Sequence, residues 1–254
     1  MRVAFDVIGD KKKAVAILGV NVKNQRKAAK QILKNHKNVK SVLKKLAERK
    51  DIYRLYPCKV IAGSKNTEVI HKEHGYLIKV DPQKAYFSPR EATERQRIAK
   101  KVKSKERILV MFSGVAPYAI AIAKKHPKTR IVCVDINLNA IRYANQNVKL
   151  NKLKNIKNIC WDVREMRRLG KFDRIIMPLV ETAYEFLDIA FAYSKKGTII
   201  HLYGLSGKDF KDLEKKVKNK AKLYNFRIRI LRKKRILPYA PRIYKVRIDI
   251  KILS

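Results

Sequence analysis

The stretch Arg107-Ile-Leu-Val-Met-Phe-Ser-Gly-Val-Ala-Pro-Tyr-Ala-Ile-Ala-Ile-Ala123 most constrains what this chain can fold into. A short apolar run breaks at Ser113-Gly114 and resumes as an Ala/Ile-rich helical pattern. That is a strand, a tight turn and a helix, the opening unit of a doubly wound α/β sheet. About 20 residues further on, a second apolar run ends in an acid, Ile131-Val-Cys-Val-Asp135. An acid at that strand end accepts hydrogen bonds from ribose hydroxyls, and the helix start offers unpaired N–H groups. The turn lacks the G-x-G-x-x-G fingerprint of dinucleotide binding. A one-glycine turn followed by a ribose-binding acid fits S-adenosylmethionine better than a nicotinamide dinucleotide.

Residues 1–83 read as a small α/β unit and residues 84–254 as the larger Rossmann-like domain. Arg2 to Ile8 is a strand, Ile8-Gly9-Asp10 a turn and Ala14 to Val20 a second apolar run. Asn24 to Lys50 carries a helical period, with a break possible at Asn35 to Asn38. His71 and His74 flank Glu73 without the helical spacing of a zinc site, so no metal is expected there. After Asp81-Pro82 and Ser88-Pro89, Arg90 to Val102 reads as a helix leading to the first sheet strand. Downstream, β and α patterns alternate and end in two strands, Phe226 to Leu231 and Tyr244 to Leu253.

Charge bounds the partners. The chain of 254 residues has 62 Lys+Arg against 21 Asp+Glu, a net +41. Such an excess calls for a polyanionic partner, with affinity rather than specificity supplied by charge. Cys58, Cys133 and Cys160 have no C-x-x-C spacing, which argues for a reducing compartment. No apolar run reaches membrane-spanning length and Met1-Arg-Val-Ala-Phe has no signal-peptide pattern, so a cytoplasmic location is expected.

Five ordered motifs carry a resemblance that spans essentially the whole chain: Phe5-Asp-Val-Ile-Gly-Asp10, Tyr86-Phe-Ser-Pro-Arg90, Thr93-Glu-Arg95, Met111-Phe-Ser-Gly-Val115 and Tyr239-Ala-Pro-Arg242. Together they resemble the archaeal and eukaryotic tRNA (guanine-37-N1)-methyltransferases and their wybutosine-pathway relatives. The resemblance implies a class I methyltransferase fold with S-adenosylmethionine as donor and the anticodon loop of tRNA as partner, acting as a monomer. It puts the donor against Phe112, Ser113, Gly114 and Val115, the ribose on Asp135 beside Ile136, and the adenine side on Asp162 and Val163. Tyr86 and Arg90 then line the cofactor and target-base region, with Tyr86 placed to stack on a flipped base. Arg54, Pro178 and Arg242 fall on the substrate side.

Two residues are assigned to catalysis by the same resemblance. Guanine N1 carries a proton and is a poor nucleophile until it leaves, and Glu94 falls on the family's general-base position. Arg54 matches an arginine that stabilises charge on the target guanine. Without the resemblance, Glu94 reads as an ion-pairing acid in a helix first turn, next to Arg95 and Arg97.

The chain departs from the family pattern at three places. Val110 stands where an acid is common, and Ala116 where a second glycine is common. Met177-Pro178-Leu179-Val180 replaces the Asn-Leu-Pro of the guanine-only branch, and Pro178 has no N–H to offer. That pattern resembles the archaeal branch that also C-methylates 4-demethylwyosine at the same tRNA position. The family's extra N-terminal domain, which touches the tRNA elbow, has no counterpart in the sequence as given, so weaker discrimination against truncated tRNAs is expected. Two other readings stay open: an aminocarboxypropyl transferase of the wybutosine pathway, and a non-catalytic tRNA-binding module.

Overall fold

The computed structural model of the chain describes residues 3–47, 52–53 and 55–254. A small sheet opens the fold, with strands β1 (Phe5–Gly9), β2 (Ala14–Leu18), β3 (Val39–Lys45) and β4 (Cys58–Gly63) in that spatial order and helix α1 (Gln25–Asn35) crossing between β2 and β3. β2 is buried at every position because both its faces are covered. Alternation sends Ala14, Ala16 and Leu18 to α1, where they meet Ala28, Ala29 and Ile32. Val15 and Ile17 point the other way, into the core of the larger domain. Gly9 makes the β1–β2 turn at φ 135°, where a Cβ would lie 2.3 Å from the Lys13 carbonyl oxygen.

The helical period expected from Asn24 to Lys50 holds only to Asn35. His36 closes α1 by donating its N–H to the Ile32 carbonyl at 2.9 Å, and the sequence from Val39 is strand β3, paired parallel to β2. Val39, Val42 and Leu43 fit a helix as well as a strand. A register shift opposite Ala14 and Val15 puts Val39 and Val42 on the α1 face together and leaves Leu43 for the other. The two-residue period is therefore masked in the sequence.

A hairpin of β5 (Val69–Glu73) and β6 (Tyr76–Val80) bridges the two units. Helix α2 (Ala92–Lys101), preceded by a 3-10 turn at Pro89–Glu91, then delivers the chain to the large sheet. Its elements are β7 (Arg107–Met111), α3 (Pro117–Lys125), β8 (Arg130–Asp135), α4 (Leu138–Leu150), β9 (Ile156–Cys160), β10 (Phe172–Met177), α5 (Leu187–Ala192), β11 (Ser194–Ser206), α6 (Lys211–Leu223), β12 (Ile228–Ala240) and β13 (Ile243–Ile252). The strand order is β12-β13-β11-β10-β7-β8-β9, with β13 antiparallel between β11 and β12. The order reverses between β7 and β10, the crevice where ligands bind in open α/β sheets. The larger domain is thus the expected class I, Rossmann-like methyltransferase architecture.

The free edge of β6 is satisfied by side chains. Asn147 on α4 and Asn151, the residue that caps its C-terminal end, each accept from and donate to the β6 backbone: Lys79 N–H to Asn147 at 2.6 Å and Leu77 N–H to Asn151 at 2.9 Å, with amide donation back to the Lys79 and Leu77 carbonyls at 3.0 and 2.6 Å. Two side-chain amides thereby replace a neighbouring strand and lock the hairpin onto the large domain. Among the described residues, no helix is long and apolar enough to cross a membrane.

Candidate active site

The turn after β7 is built from left-handed residues: Phe112 at φ 54°, Gly114 at φ 54° and Ala116 at φ 64°. Ser113 N–H donates to the Val134 carbonyl at 3.0 Å, tying the turn to the end of β8. Asp135, at that strand end, uses both oxygens locally. One accepts from Gly114 N–H at 2.7 Å and the other from Asn137 N–H at 2.9 Å. Burial raises its carboxyl above the ordinary value, against the opposing pull of those two N–H groups. Each carboxylate oxygen keeps acceptor capacity for a hydroxyl from the cavity.

That cavity has a volume of about 350 Å³, within the usual range for small ligands. Phe112, Ser113, Gly114, Asp135, Ile136, Asp162 and Val163 all line it. Trp161, 40% exposed, adds a flat aromatic surface beside Asp162. The Arg164 guanidinium holds the Asp162 carboxyl below its usual range. Pro178, Leu179 and Val180 close the far side, and the Phe112 ring packs edge-on against Phe186 at 5.0 Å. A hydroxyl-accepting acid, an aromatic wall and an apolar floor fit an adenosyl group. The chain would hold S-adenosylmethionine here, and that molecule supplies an electrophilic methyl group.

A second cavity of about 700 Å³ lies between the small sheet and the large domain. Its lining includes Asp6, Lys45 and Tyr56 from the small unit and Pro238 and Tyr239 from the β12–β13 hairpin. The two cavities share Tyr86, Phe87, Ser88, Glu91, Val180 and Lys245. Of the aromatic pair, Phe87 is packed, with the Arg95 guanidinium 5.1 Å from its ring centre and the His71 ring at 5.2 Å. Tyr86 remains 37% exposed, on the wall between the cavities. Arg95 is fully buried and anchors this segment: it grips Glu73 with two bonds at 2.7 and 2.6 Å and donates to the Ser88 carbonyl at 3.1 Å.

Several expected contacts fall elsewhere. Val115 is fully buried and off the cavity lining, because the left-handed residues on either side of it turn its side chain inward. Arg90 lines only the second cavity and ion-pairs with Asp6 of the small unit, since the 3-10 turn points it away from the donor side. Arg242 sits exposed at the β12–β13 tip at φ 60°, outside both cavities. Arg54 lies outside the described residues. Glu94 is 2% exposed and absent from both linings. Its Oε1 accepts from Tyr203 at 2.8 Å and pairs with Arg247, while Oε2 has Arg97 Nη1 at 3.5 Å.

Glu91 and Lys245 were not legible as site residues. Glu91 lies between the motifs Tyr86–Arg90 and Thr93–Arg95 and belongs to neither, and Lys245 belongs to the polar alternate positions of a strand. His71 uses Nδ1 against the Gly9 carbonyl at 2.9 Å, and no cluster of potential metal ligands occurs among the described residues.

Comparison with known proteins agrees with this geometry. Residues 69–230 match the model of the TRM5/TYW2 methyltransferase domain. The Pyrococcus abyssi tRNA (guanine(37)-N(1))-methyltransferase Trm5b is 38% identical over 254 residues, covering 98% of this chain and 74% of that protein. The Nanoarchaeum equitans tRNA (guanine(37)-N(1))/4-demethylwyosine(37)-methyltransferase Taw22 is 31% identical, covering 85% of this chain and 87% of that protein. Among solved structures, the complex of aTrm5 with tRNALeu superposes with a TM-score of 0.87 at 35% identity, over 99% of this chain and 72% of that one. A Rossmann-like sheet with its donor cavity at the switch point, a second cavity against a small α/β unit and these matches lead to one conclusion: the chain belongs to the TRM5/TYW2 methyltransferase family.

Proposed function

We infer that this chain transfers a methyl group from S-adenosylmethionine to N1 of guanosine 37 in tRNA. The observation that carries the reading is the shared wall: the donor cavity and a larger cavity flanked by a second unit have lining residues in common, so donor and acceptor can approach one another from different sides. Asp135 would orient the ribose, Trp161, Asp162 and Val163 would hold the adenine side, and Pro178 to Val180 would shield the cavity from water. Tyr86 offers a ring on which a base taken out of the anticodon-loop stack can rest. The net +41 supplies long-range attraction for the tRNA backbone.

A second activity, C-methylation of 4-demethylwyosine at the same position, is favoured by one feature. Pro178 lines the donor cavity and presents neither a side-chain amide nor an N–H to the base edge. A tricyclic base meets an apolar wall there rather than a donor fixed for guanine.

The test is single-turnover incubation of the full chain with S-adenosylmethionine and unmodified guanine-37 tRNA transcript, followed by nucleoside mass spectrometry. The expected product is 1-methylguanosine. On tRNA carrying 4-demethylwyosine, a methyl adduct supports the second activity. An aminocarboxypropyl adduct there, with no methyl product on either tRNA, overturns the assignment in favour of the sister reaction. Binding of tRNA with no adduct of either kind overturns it in favour of a binding module.

A further inference from the structure

Tyr86 lines both cavities, and the chain around it is pinned from both sides. Downstream, Arg95 donates to the Ser88 carbonyl at 3.1 Å and is itself fixed by Glu73. Upstream, the N–H groups of Lys84 and Ala85 both donate to the Asp81 carbonyl, at 2.9 and 3.0 Å. The Lys84 carbonyl, on the approach to Tyr86, accepts from Nδ2 of Asn137 at 3.0 Å. Between these points the segment runs close to the donor turn, where a Cβ on Gly114 would lie 3.5 Å from the Tyr86 carbonyl oxygen.

Asn137 meets the donor site as well. Its backbone N–H donates to Asp135 at 2.9 Å, and the residue, 5% exposed, lines the donor cavity. Its Oδ1 caps α4 by accepting from the Asn139 and Ala140 N–H groups at 2.9 and 3.3 Å. Two N–H donors on one side and a carbonyl on the other admit a single orientation of the amide. Capping by itself does not call for asparagine, since serine and aspartate cap a helix about as well. What they lack is the second arm: an aspartate carboxylate has no N–H to give, and a serine hydroxyl is too short to reach past the cap.

We propose that Asn137 is a positioning residue for methyl transfer: through the Lys84 carbonyl it sets where the Tyr86 ring stands relative to a donor held on Asp135. The inference rests on the methyl-transfer reading above and on Tyr86 as the platform for the target base. One side chain and its own backbone N–H thereby join the acid that receives the ribose to the segment that receives the base. Donor and acceptor are fixed in one frame. The demand on that frame is steep, because a misplacement of about 1 Å can cost about 100-fold in rate.

The experiment compares the parent chain with Asn137→Ser, Tyr86→Ala and the double variant in single-turnover methylation of the guanine-37 transcript at saturating S-adenosylmethionine and tRNA. Calorimetry measures donor affinity. Asn137→Ser keeps the cap and removes the bond to Lys84, so it should bind donor within about threefold of the parent. It should methylate at least about tenfold more slowly. The double variant should match Tyr86→Ala to within about twofold, because Asn137 acts through the ring. A structural role elsewhere gives losses that multiply instead. If Asn137→Ser does not fold, Asn137→Asp takes its place with the same expected results, since it keeps both the shape and the cap. A folded Asn137 variant at the parental rate overturns the proposal, and so do losses that multiply in the double variant. Tyr86→Ala at the parental rate overturns it along with the base platform and leaves methyl transfer standing. A parent chain that makes no 1-methylguanosine overturns it together with the reading beneath it.

Discussion

Asp135 lines the donor cavity at the end of β8, and its surroundings define what a substitution should do. Its two oxygens each hold a backbone N–H, at 2.7 and 2.9 Å. An asparagine can accept only one of them and would set an amide N–H₂ against the other. Hydrogen bonds to a charged group are worth about 1.5–3 kcal/mol, so Asp135→Asn should weaken S-adenosylmethionine binding by roughly 10- to 100-fold. Calorimetric titration checks this, and a change of less than about threefold would remove Asp135 from the ribose role. The pH sense follows from the same carboxyl. Burial raises its pKa above 3.8, so protonation removes the anionic acceptor at a higher pH than for an exposed aspartate. Donor affinity should therefore decline on acidification before ordinary carboxylates titrate, and Asp135→Asn should abolish that decline. The acid-after-strand pattern made this residue legible from sequence. Val115 shows the limit: it lies inside the same motif, yet the φ angles of Gly114 and Ala116 turn it into the core, and no spacing rule reports a dihedral angle.

At the scale of elements, the pairing of β13 with α2 explains what the sequence hid. In Tyr244-Lys-Val-Arg-Ile-Asp-Ile-Lys-Ile252, apolar and polar residues alternate, which reads as one buried and one solvated face. Both faces are in fact covered for Lys245, Arg247 and Asp249, because the 3-10 turn and α2 lie over the polar side and bring Glu91, Glu94 and Lys101 to meet it. Strand and helix were each readable; their contact, a tertiary fact, was not. The same holds for β3, where a register shift merges two faces and mimics a helical period. Removing one partner from a buried ion pair typically costs about 3–5 kcal/mol. Glu94→Gln should thus lower the melting temperature by roughly 6–20 °C, alongside any effect on turnover. Thermal denaturation measures this, and a variant that melts with the parent would show that Arg247 is satisfied by Asp249 alone.

The further rungs of the buried network set the acid stability of the whole molecule. Arg174 Nη1 stands 2.6 Å from His201 Nε2 and donates to it, while His201 Nδ1 donates to Asp249 at 2.7 Å. The imidazole is therefore neutral, and its burial moves the pKa from 6.5 down to about 4. The unfolded chain takes up a proton on this histidine below pH 6.5 that the folded chain refuses until about 4. Stability falls with pH across that window, by roughly 3 kcal/mol at its lower end. Asp249, held well below the ordinary carboxylate range chiefly through His201 and Arg247 against its own burial, adds a further loss at lower pH. Urea unfolding as a function of pH should show the slope, and His201→Gln should remove the part between 6.5 and 4. A slope that persists in that variant would assign it to other groups.

Charge at the same scale separates two uses of the sheet's outer edge. β12 is the terminal strand of the seven-stranded sheet and exposes Arg229, Arg232 and Arg235. Basic side chains on an edge strand deter pairing with another chain, and they also suit an RNA backbone that approaches the neighbouring cavity past Tyr239. Salt dependence distinguishes these roles, since each phosphate neutralised releases counterions and steepens the fall of log affinity with log salt by about 0.7–0.9. For the parent chain, six or more such contacts would weaken tRNA binding by roughly a thousandfold or more between about 50 and 200 mM salt. Replacing Arg229 and Arg232 together by glutamine should then reduce the slope by about 1.5 and leave donor affinity untouched. An unchanged slope, with the variant newly prone to self-association, would instead assign the arginines to protection of the edge. The tRNA would then reach the cavity over the small unit, where Lys45 and Arg90 line the approach.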